Sequence, residues 1–150
     1  MFKSILWPLD GSSLSLKPLG AILDLARCAG ARVTLLSIAE PRLLRASGQE
    51  ARATGQAAEA LRLDAARQDL DGVRSTLRRA GIACDDIAAL AALPCDGIVA
   101  TAQRIGCDLI VMATHARMGV IDTILSASTT QQVLQASPVP VLVFPEEEHA

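Results

Sequence analysis

The 150-residue sequence lacks several features that would indicate a function at once. No apolar run approaches the roughly 20 residues that a helix needs to cross a membrane, and the first residues are charged and strand-like rather than typical of a signal peptide. The formal charge of −2 and the pI near 5.6 give no electrostatic reason to expect nucleic-acid binding. We therefore expect a cytoplasmic protein that binds neither nucleic acid nor membrane.

Metal-binding and redox spacings are missing too. The four cysteines show no C-x-x-C spacing and no paired histidines, which argues against a zinc site and a thioredoxin-like motif. Each falls in or beside a predicted helix or strand, where free cysteine behaves as a small hydrophobe. They are Cys28, Cys84, Cys95 and Cys107. We expect reduced thiols and no required metal.

The sequence also lacks the common catalytic motifs. It has no G-x-S-x-G nucleophile elbow, no G-x-x-x-x-G-K-[ST] phosphate loop and no cluster of metal ligands. The loop Asp10-Gly11-Ser12-Ser13 does not supply the Ser-Gly-Gly sequence of an ATP-pyrophosphatase domain. We therefore expect that the protein is not an enzyme.

What the sequence does contain is a regular alternation of short apolar runs with amphipathic segments. Apolar, β-branched runs predict buried strands, and apolar residues recurring every three or four positions predict helices between them. Strands are predicted at residues 2–9, 32–39, 82–91, 109–113 and 141–144, with helices ending at Gly30, at Gly81, at Gly106 and before Ser137. The alternation predicts one α/β domain over residues 1–150, with a parallel sheet covered by helices on both faces. Residues 40–54 are expected to form a mobile surface connection, and residues 145–150 an acidic tail.

The stretch from Cys107 to Phe144 contains the strongest functional pattern. A buried strand is followed by a polar, glycine-containing loop, and then by Ser128-Thr129-Thr130-Gln131. Ser and Gln three positions apart are typical of a capping box, so we expect Ser128 to be the N-cap of a helix. In a parallel sheet such a loop and helix N-terminus lie where anionic ligands usually bind.

This stretch, DLIVMATHAR…SASTTQQVLQASPVPVLVF, resembles the C-terminal signature of the universal stress protein family. ILWPLDGS resembles that family's first strand with its aspartate, and the resemblance covers essentially the whole chain. It implies a Rossmann-like, doubly wound sheet of strand order 3-2-1-4-5 and a homodimer; some family members bind ATP and others do not. It also implies that Asp10 faces Met112 and Ala113 across the switch point of the sheet.

In ATP-binding members of the family, a G-x-x-G pattern, a spacer of roughly ten residues and a G-S pair surround the phosphates, because backbone must approach them closely. Here Ala113 and Ala116 stand at the first two glycine positions, while the hydroxyl position is kept as Ser128. The third glycine position is Ser126 when counted forward from His115 and Ala127 when counted back from Pro138; we prefer Ala127. Where a position needs positive φ, alanine costs about 1–2 kcal/mol. We therefore expect ATP to bind weakly or not at all.

The resemblance implies a placement for an adenine nucleotide. Adenine would lie near Pro8, Asp10 and Ile38, the ribose near Asp10, and the phosphates near the loop that begins at His115 and the helix that begins at Ser128. The candidate nucleotide-binding residues are Pro8, Leu9, Asp10, Ser12, Ile38, Met112, Ala113, His115, Ala116, Arg117, Ala127, Ser128 and Thr129.

Structural roles compete with these functional ones. Asp10 would serve equally well to brace its turn, and Ser128 to cap its helix. His115 and Arg117 lie on a predicted loop, where solvated side chains are common. Trp7 lies inside the first strand, so we expect it in the core rather than stacked on a base.

The last strand suggests how copies of the chain associate. The family's strand order places it at a sheet edge, where Pro140 is tolerated and an exposed ladder must be covered. Two-fold antiparallel pairing with a second copy would close the edge through Val139, Val141, Leu142, Val143 and Phe144. Two functions stay open: a small adenine-nucleotide-binding regulator of stress responses, or a nucleotide-free dimeric module that binds client proteins.

Overall fold

The computed structural model describes residues 2–39, 56–115 and 126–146. Within these ranges the strands are β1 Ser4–Pro8, β2 Arg32–Ala39, β3 Cys84–Leu90, β4 Leu109–Thr114 and β5 Val141–Pro145. The helices are α1 Leu19–Ala29, α2 Gln56–Arg79, α3 Pro94–Ile105 and α4 Ala127–Ala136, and a single 3-10 turn covers Leu14–Leu16. The predicted mobile connection of residues 40–54 lies outside the described residues.

The strands form one parallel sheet in the order β3-β2-β1-β4-β5. The chain first adds strands on one side of β1 and then crosses to the other side, so the order reverses between β1 and β4. The predicted doubly wound α/β fold and its strand order are therefore confirmed.

Each face of the sheet has its own apolar cluster, because successive side chains of a strand point to opposite faces. Trp7 and Leu35 pack with Ile22 of α1 and with Leu70 and Leu77 of α2. On the other face, members of neighbouring strands pack against α3 and α4; they are Leu6, Leu36, Ile110 and Met112. Trp7 is fully buried, as predicted, and its Nε1–H donates to the carbonyl oxygen of Ser15 at 3.2 Å.

Two of the predicted helix ends show why glycine stands there. Gly30 and Gly106 follow α1 and α3 with φ of 64° and 65°, a left-handed conformation that a side chain disfavours. α4 ends before Ser137, also as predicted. None of the helices in the described ranges is long and apolar enough to cross a membrane.

The strand ends differ from the prediction by one or two residues; β1 is shorter than residues 2–9 at both ends, and β4 continues to Thr114. β3 is shorter than residues 82–91 at both ends, and β5 continues to Pro145, which was assigned to the tail. Glu146, likewise assigned to the tail, still donates its backbone N–H to the carbonyl oxygen of Thr114 at 3.0 Å. The ladder with β4 therefore extends the ordered edge further than hydropathy indicated.

Asp108 joins the amino ends of the two central strands. Its Oδ2 accepts the backbone N–H of Lys3 at 2.8 Å, and its Oδ1 accepts that of Ser4 at 3.1 Å. Asp108 immediately precedes β4, while Ser4 begins β1. One carboxylate thus holds the starts of β1 and β4 together at the end of the sheet opposite the switch-point crevice.

Candidate functional site

The central strands β1 and β4 separate at their carboxyl ends. Ile5 pairs with Leu109 and Leu6 with Ile110, and the paired register goes no further along either strand. Their outer neighbours stay paired to the ends, since β1 follows β2 up to Pro8 and β4 follows β5 up to Thr114. The space between these unpaired strand ends, called the crevice below, lies at the switch point, the usual ligand position in a doubly wound sheet.

Asp10 lies at one side of this crevice in a tight turn. Its Oδ1 accepts the backbone N–H of Ser12 at 2.9 Å and also the Ser12 hydroxyl. Gly11 between them has a φ of 81°, which only glycine adopts without strain. The bracing role weighed for Asp10 is therefore present. Among the described residues, no donor binds its second oxygen, Oδ2, so that oxygen is available to a ligand.

The buried floor of the crevice comes from three strands. Pro8, Met112 and Ala113 are buried, and Ile38 at the end of β2 is 8% exposed. Ile38, Met112 and Ala113 belong to the cluster under α3 and α4. Leu9 was predicted with them, but its side chain packs in the cluster under α1 and α2. Leu9 therefore lies on the opposite face of the sheet, because the pleat alternates, and brings only its backbone to the crevice.

The N-cap of α4 is Ser126, so the prediction of Ser128 was wrong. Ser126 has the extended backbone of a cap, with φ −65° and ψ 156°, and its Oγ accepts the N–H of Thr129 at 3.1 Å. Ser128 lies within the first helical turn and is exposed, with its Oγ 3.2 Å from Ser126 Oγ. A cap oxygen must reach an amide two or three residues on, and Ser126 occupies that geometry.

Hydroxyl groups organise the start of α4 and tie it to β4. Thr130 Oγ1 donates to Thr114 Oγ1 at 2.7 Å, which ties the first turn of α4 to the end of β4. Ser126 Oγ donates to Thr129 Oγ1 at 3.0 Å. Thr114 and Thr130 were not among the predicted site residues, and nothing local in the sequence indicates that they pair.

Charged groups gather at the ends of β4 and β5. His115 Nδ1 lies 3.6 Å from Glu146 Oε2, and the His115 side chain is 17% exposed. Lys17 reaches across from the segment before α1 and donates to the carbonyl oxygen of Pro145. Neither Lys17 nor Glu146 was predicted near the site. The sequence offered one signal that Glu146 lies near the site, namely its position directly after the strand that pairs with β4.

The remaining predicted residues divide as follows. Ala116 and Arg117 lie outside the described residues, and Ala127 is the first residue of α4. β5 forms the predicted sheet edge, where Val141, Val143 and Phe144 are half-buried and Leu142 is 40% exposed. In the described ranges, no group of three or more His, Cys, Asp or Glu side chains is placed to hold a metal ion.

A doubly wound parallel sheet with a crevice at the β1–β4 switch point defines a Rossmann-like α/β domain. The chain belongs to the universal stress protein family, whose family model matches residues 1–145. It is 30% identical over 148 residues to the universal stress protein Sll1654 of Synechocystis sp., covering 97% of this chain and 87% of that protein.

Solved structures share the fold. The protein MJ0577 matches with a TM-score of 0.77 and 24% identity, over 99% of both chains. A universal stress protein in complex with cAMP matches with a TM-score of 0.60 and 19% identity, over 97% of this chain and 98% of that one. The universal stress protein of Archaeoglobus fulgidus in complex with dAMP matches with a TM-score of 0.63 and 19% identity, over 95% and 97%.

Proposed function

We propose that this protein is a small cytoplasmic regulator of stress responses that binds an adenine nucleotide between the ends of β1 and β4. Asp10 carries the proposal. Its turn fixes one carboxylate oxygen and leaves Oδ2 as an acceptor at the mouth of the crevice. A ribose presents hydroxyl donors, which an ionised carboxylate binds with charge-assisted hydrogen bonds.

The N-terminus of α4 supplies the complementary site for phosphate. The first amides of a helix have no acceptor within it, and the helix dipole favours an anion there. The Ser126 hydroxyl already occupies the Thr129 amide. The amides of Ala127 and Ser128 have no acceptor among the described residues. Two free amides are enough to bind one phosphate group but not the three groups of a triphosphate.

The local charge and packing also favour a nucleotide with one phosphate group over one with three. Glu146 places a carboxylate beside His115, the residue expected near the phosphates, and a highly charged triphosphate would be repelled more strongly than a monophosphate. Ala113 is fully buried, so its methyl group fills volume that a glycine would leave open. The relatives solved with cAMP and dAMP support a nucleotide with a single phosphate. We therefore expect AMP to bind more tightly than ATP.

Calorimetry with AMP and with ATP tests the proposal, together with mass spectrometry of the nucleotide that the purified protein carries. Asp10→Asn keeps the size of the side chain while removing its charge. It should weaken AMP binding at least tenfold and leave the melting temperature within a few degrees. Asp24→Asn, on the exposed face of α1, is the matched control and should bind like the unmodified protein.

Failure of the unmodified protein to bind AMP, or equal binding by Asp10→Asn, would contradict the proposal. Restoring glycine at Ala113, Ala116 and Ala127 together provides a further comparison. ATP affinity should rise if the methyl groups obstruct the triphosphate.

A second candidate is a nucleotide-free homodimer that binds client proteins through the same fold. The exposed Leu142 on the edge strand β5 favours it, because an apolar edge strand requires cover. Antiparallel pairing of β5 with a second copy would supply that cover. A dimer that binds neither AMP nor ATP would select this function. In neither role does the protein act as an enzyme.

A further inference from the structure

A cleft of about 400 Å³ lies on the opposite face of the sheet from the proposed nucleotide site. Its floor includes Leu9 and Val73, which belong to the cluster under α1 and α2, whereas the nucleotide crevice borders the cluster under α3 and α4. The lining residues are Leu9, Gly11, Ser12, Ser15, Leu16, Leu19, Gly72, Val73 and Thr76. Its volume falls within the roughly 300–1,000 Å³ typical of small-molecule sites.

The lining is apolar with a few hydroxyl groups, and every lining residue is uncharged. Leu9 is 2% exposed and Val73 is 9% exposed, whereas Leu16 is 43% exposed. Ser15 Oγ donates to the carbonyl oxygen of Ser12 at 2.6 Å, and Thr76 Oγ1 donates to that of Gly72 at 3.0 Å. Ser15 is 1% exposed, whereas Thr76 is exposed and its hydroxyl has used its proton, so the Thr76 oxygen is left as an acceptor for a ligand. These walls suit an uncharged ligand with a donor, because an unpaired charge in an apolar site is costly.

Gly72 contributes an open part of the wall. It lies within α2, where glycine costs about 1 kcal/mol relative to alanine. A Cβ atom built on Gly72 meets nothing within 4 Å, and its φ is not positive, so neither packing nor backbone conformation requires glycine. A larger side chain at this position would narrow the cleft.

We propose that this cleft binds an uncharged, largely apolar small molecule that carries a hydroxyl group. An apolar cavity of roughly 150 Å³ holds benzene. By that scale the present cleft accommodates a molecule of about 15 non-hydrogen atoms. The site shares the Gly11–Ser12 turn with the nucleotide crevice but is built on the other apolar cluster, and it does not depend on the function proposed above.

The single tryptophan reports on this cleft. Trp7 is fully buried and donates to the carbonyl oxygen of Ser15, one of the lining residues. A ligand that displaces the Ser15 segment changes the hydrogen bond of the indole and therefore its emission. The methyl groups of Val73 and Thr76 provide an independent signal in nuclear magnetic resonance spectra.

Menthol, which is uncharged, apolar and non-fluorescent and carries one hydroxyl group, is a suitable probe. Its titration should change Trp7 emission saturably and shift the methyl resonances of Val73 and Thr76, while the methyl groups of Val133 in α4, on the other face of the sheet, stay unchanged. The anion 4-isopropylcyclohexanecarboxylate, of similar shape, should bind at least tenfold more weakly. This comparison needs no variant.

Gly72→Leu should weaken menthol binding at least tenfold by filling the cleft. Gly20→Leu is the matched control, because Gly20 is also an exposed helical glycine with nothing within 4 Å of a Cβ atom and does not line the cleft. It should change affinity less than twofold. The proposal is overturned if menthol gives no saturable response, if the anion binds equally well, or if folded Gly72→Leu binds like the unmodified protein. Should Gly72→Leu fail to fold, the comparison of menthol with the anion decides.

Discussion

Ile38 and Gly97 are in direct contact where the end of β2 meets α3. A Cβ atom built on Gly97 would lie 2.4 Å from Ile38 Cδ1 and 3.0 Å from the Cβ atom of Ala91. Both distances are too short for an ordinary contact, so an alanine at this position would require Ile38 or its neighbours to shift. Because Ile38 is a candidate adenine contact, the position of α3 determines one wall of the nucleotide crevice.

Gly97→Ala should therefore destabilise the protein by about 1–3 kcal/mol through overpacking, although alanine normally favours a helix. Urea denaturation followed by circular dichroism measures the change. Ile38→Val removes the atom that clashes, so the double variant should lose less than the two single variants added together. Gly20→Ala is the control, since its Cβ atom meets nothing within 4 Å. Equal stability of Gly97→Ala and the unmodified protein would contradict this account.

Ser126→Ala removes the cap oxygen of α4 and should cost about 1 kcal/mol in the free energy of unfolding. Ser128→Ala removes an exposed hydroxyl inside the first turn and should change that free energy by less than about 0.5 kcal/mol. Thermal denaturation of the two variants makes the comparison. A larger loss for Ser128→Ala would reinstate Ser128 as the cap.

Leu142→Lys should convert a dimer into a monomer, because it places a charge on the exposed face of the edge strand β5. It tests the interface more cleanly than changes at Val141 or Val143, which also pack against the core. Light scattering coupled to gel filtration measures the mass. Leu93→Lys, at a leucine that is 56% exposed outside β5, should remain dimeric. A monomeric unmodified protein at tens of micromolar would exclude the β5 dimer.

Burial raises the pKa of the Cys84 thiol from its usual 9.0 to about 11. Between these values the unfolded chain loses the proton that the folded chain retains. The unfolded state then binds fewer protons, so the free energy of unfolding decreases as pH rises from 9 to 11. Cys84→Val should show a shallower decrease in urea denaturation across this range. Parallel slopes for the two proteins would show that Cys84 does not contribute.

Local chemistry made much of the fold predictable. Gly30 and Gly106 end helices because only a residue without a side chain readily adopts the left-handed conformation found there. Apolar runs gave the strands to within about two residues, the usual uncertainty at element ends. Strand order rested on resemblance, because hydropathy does not say which strands are neighbours.

The details of the site depend on contacts between distant parts of the chain. Ser126 and Ser128 are equally good caps by residue type, and local sequence contains no trace of the Thr114–Thr130 bond that holds the start of α4. Leu9 is among the candidate nucleotide-binding residues, yet the pleat turns its side chain to the other face. The sequence shows a glycine at position 97, but it does not show that Ile38 packs against that glycine.

The uneven joining of β1 and β4 has a mechanical consequence. At their amino ends the strands are held by the pairing of Ile5 and Leu6 with β4, and by Asp108, which binds the amides of Lys3 and Ser4. At their carboxyl ends they are not paired with each other. A ligand that pushes these strands apart at their carboxyl ends would therefore rotate them about their joined amino ends. The displacement is greatest at Asp10 and smallest at Asp108.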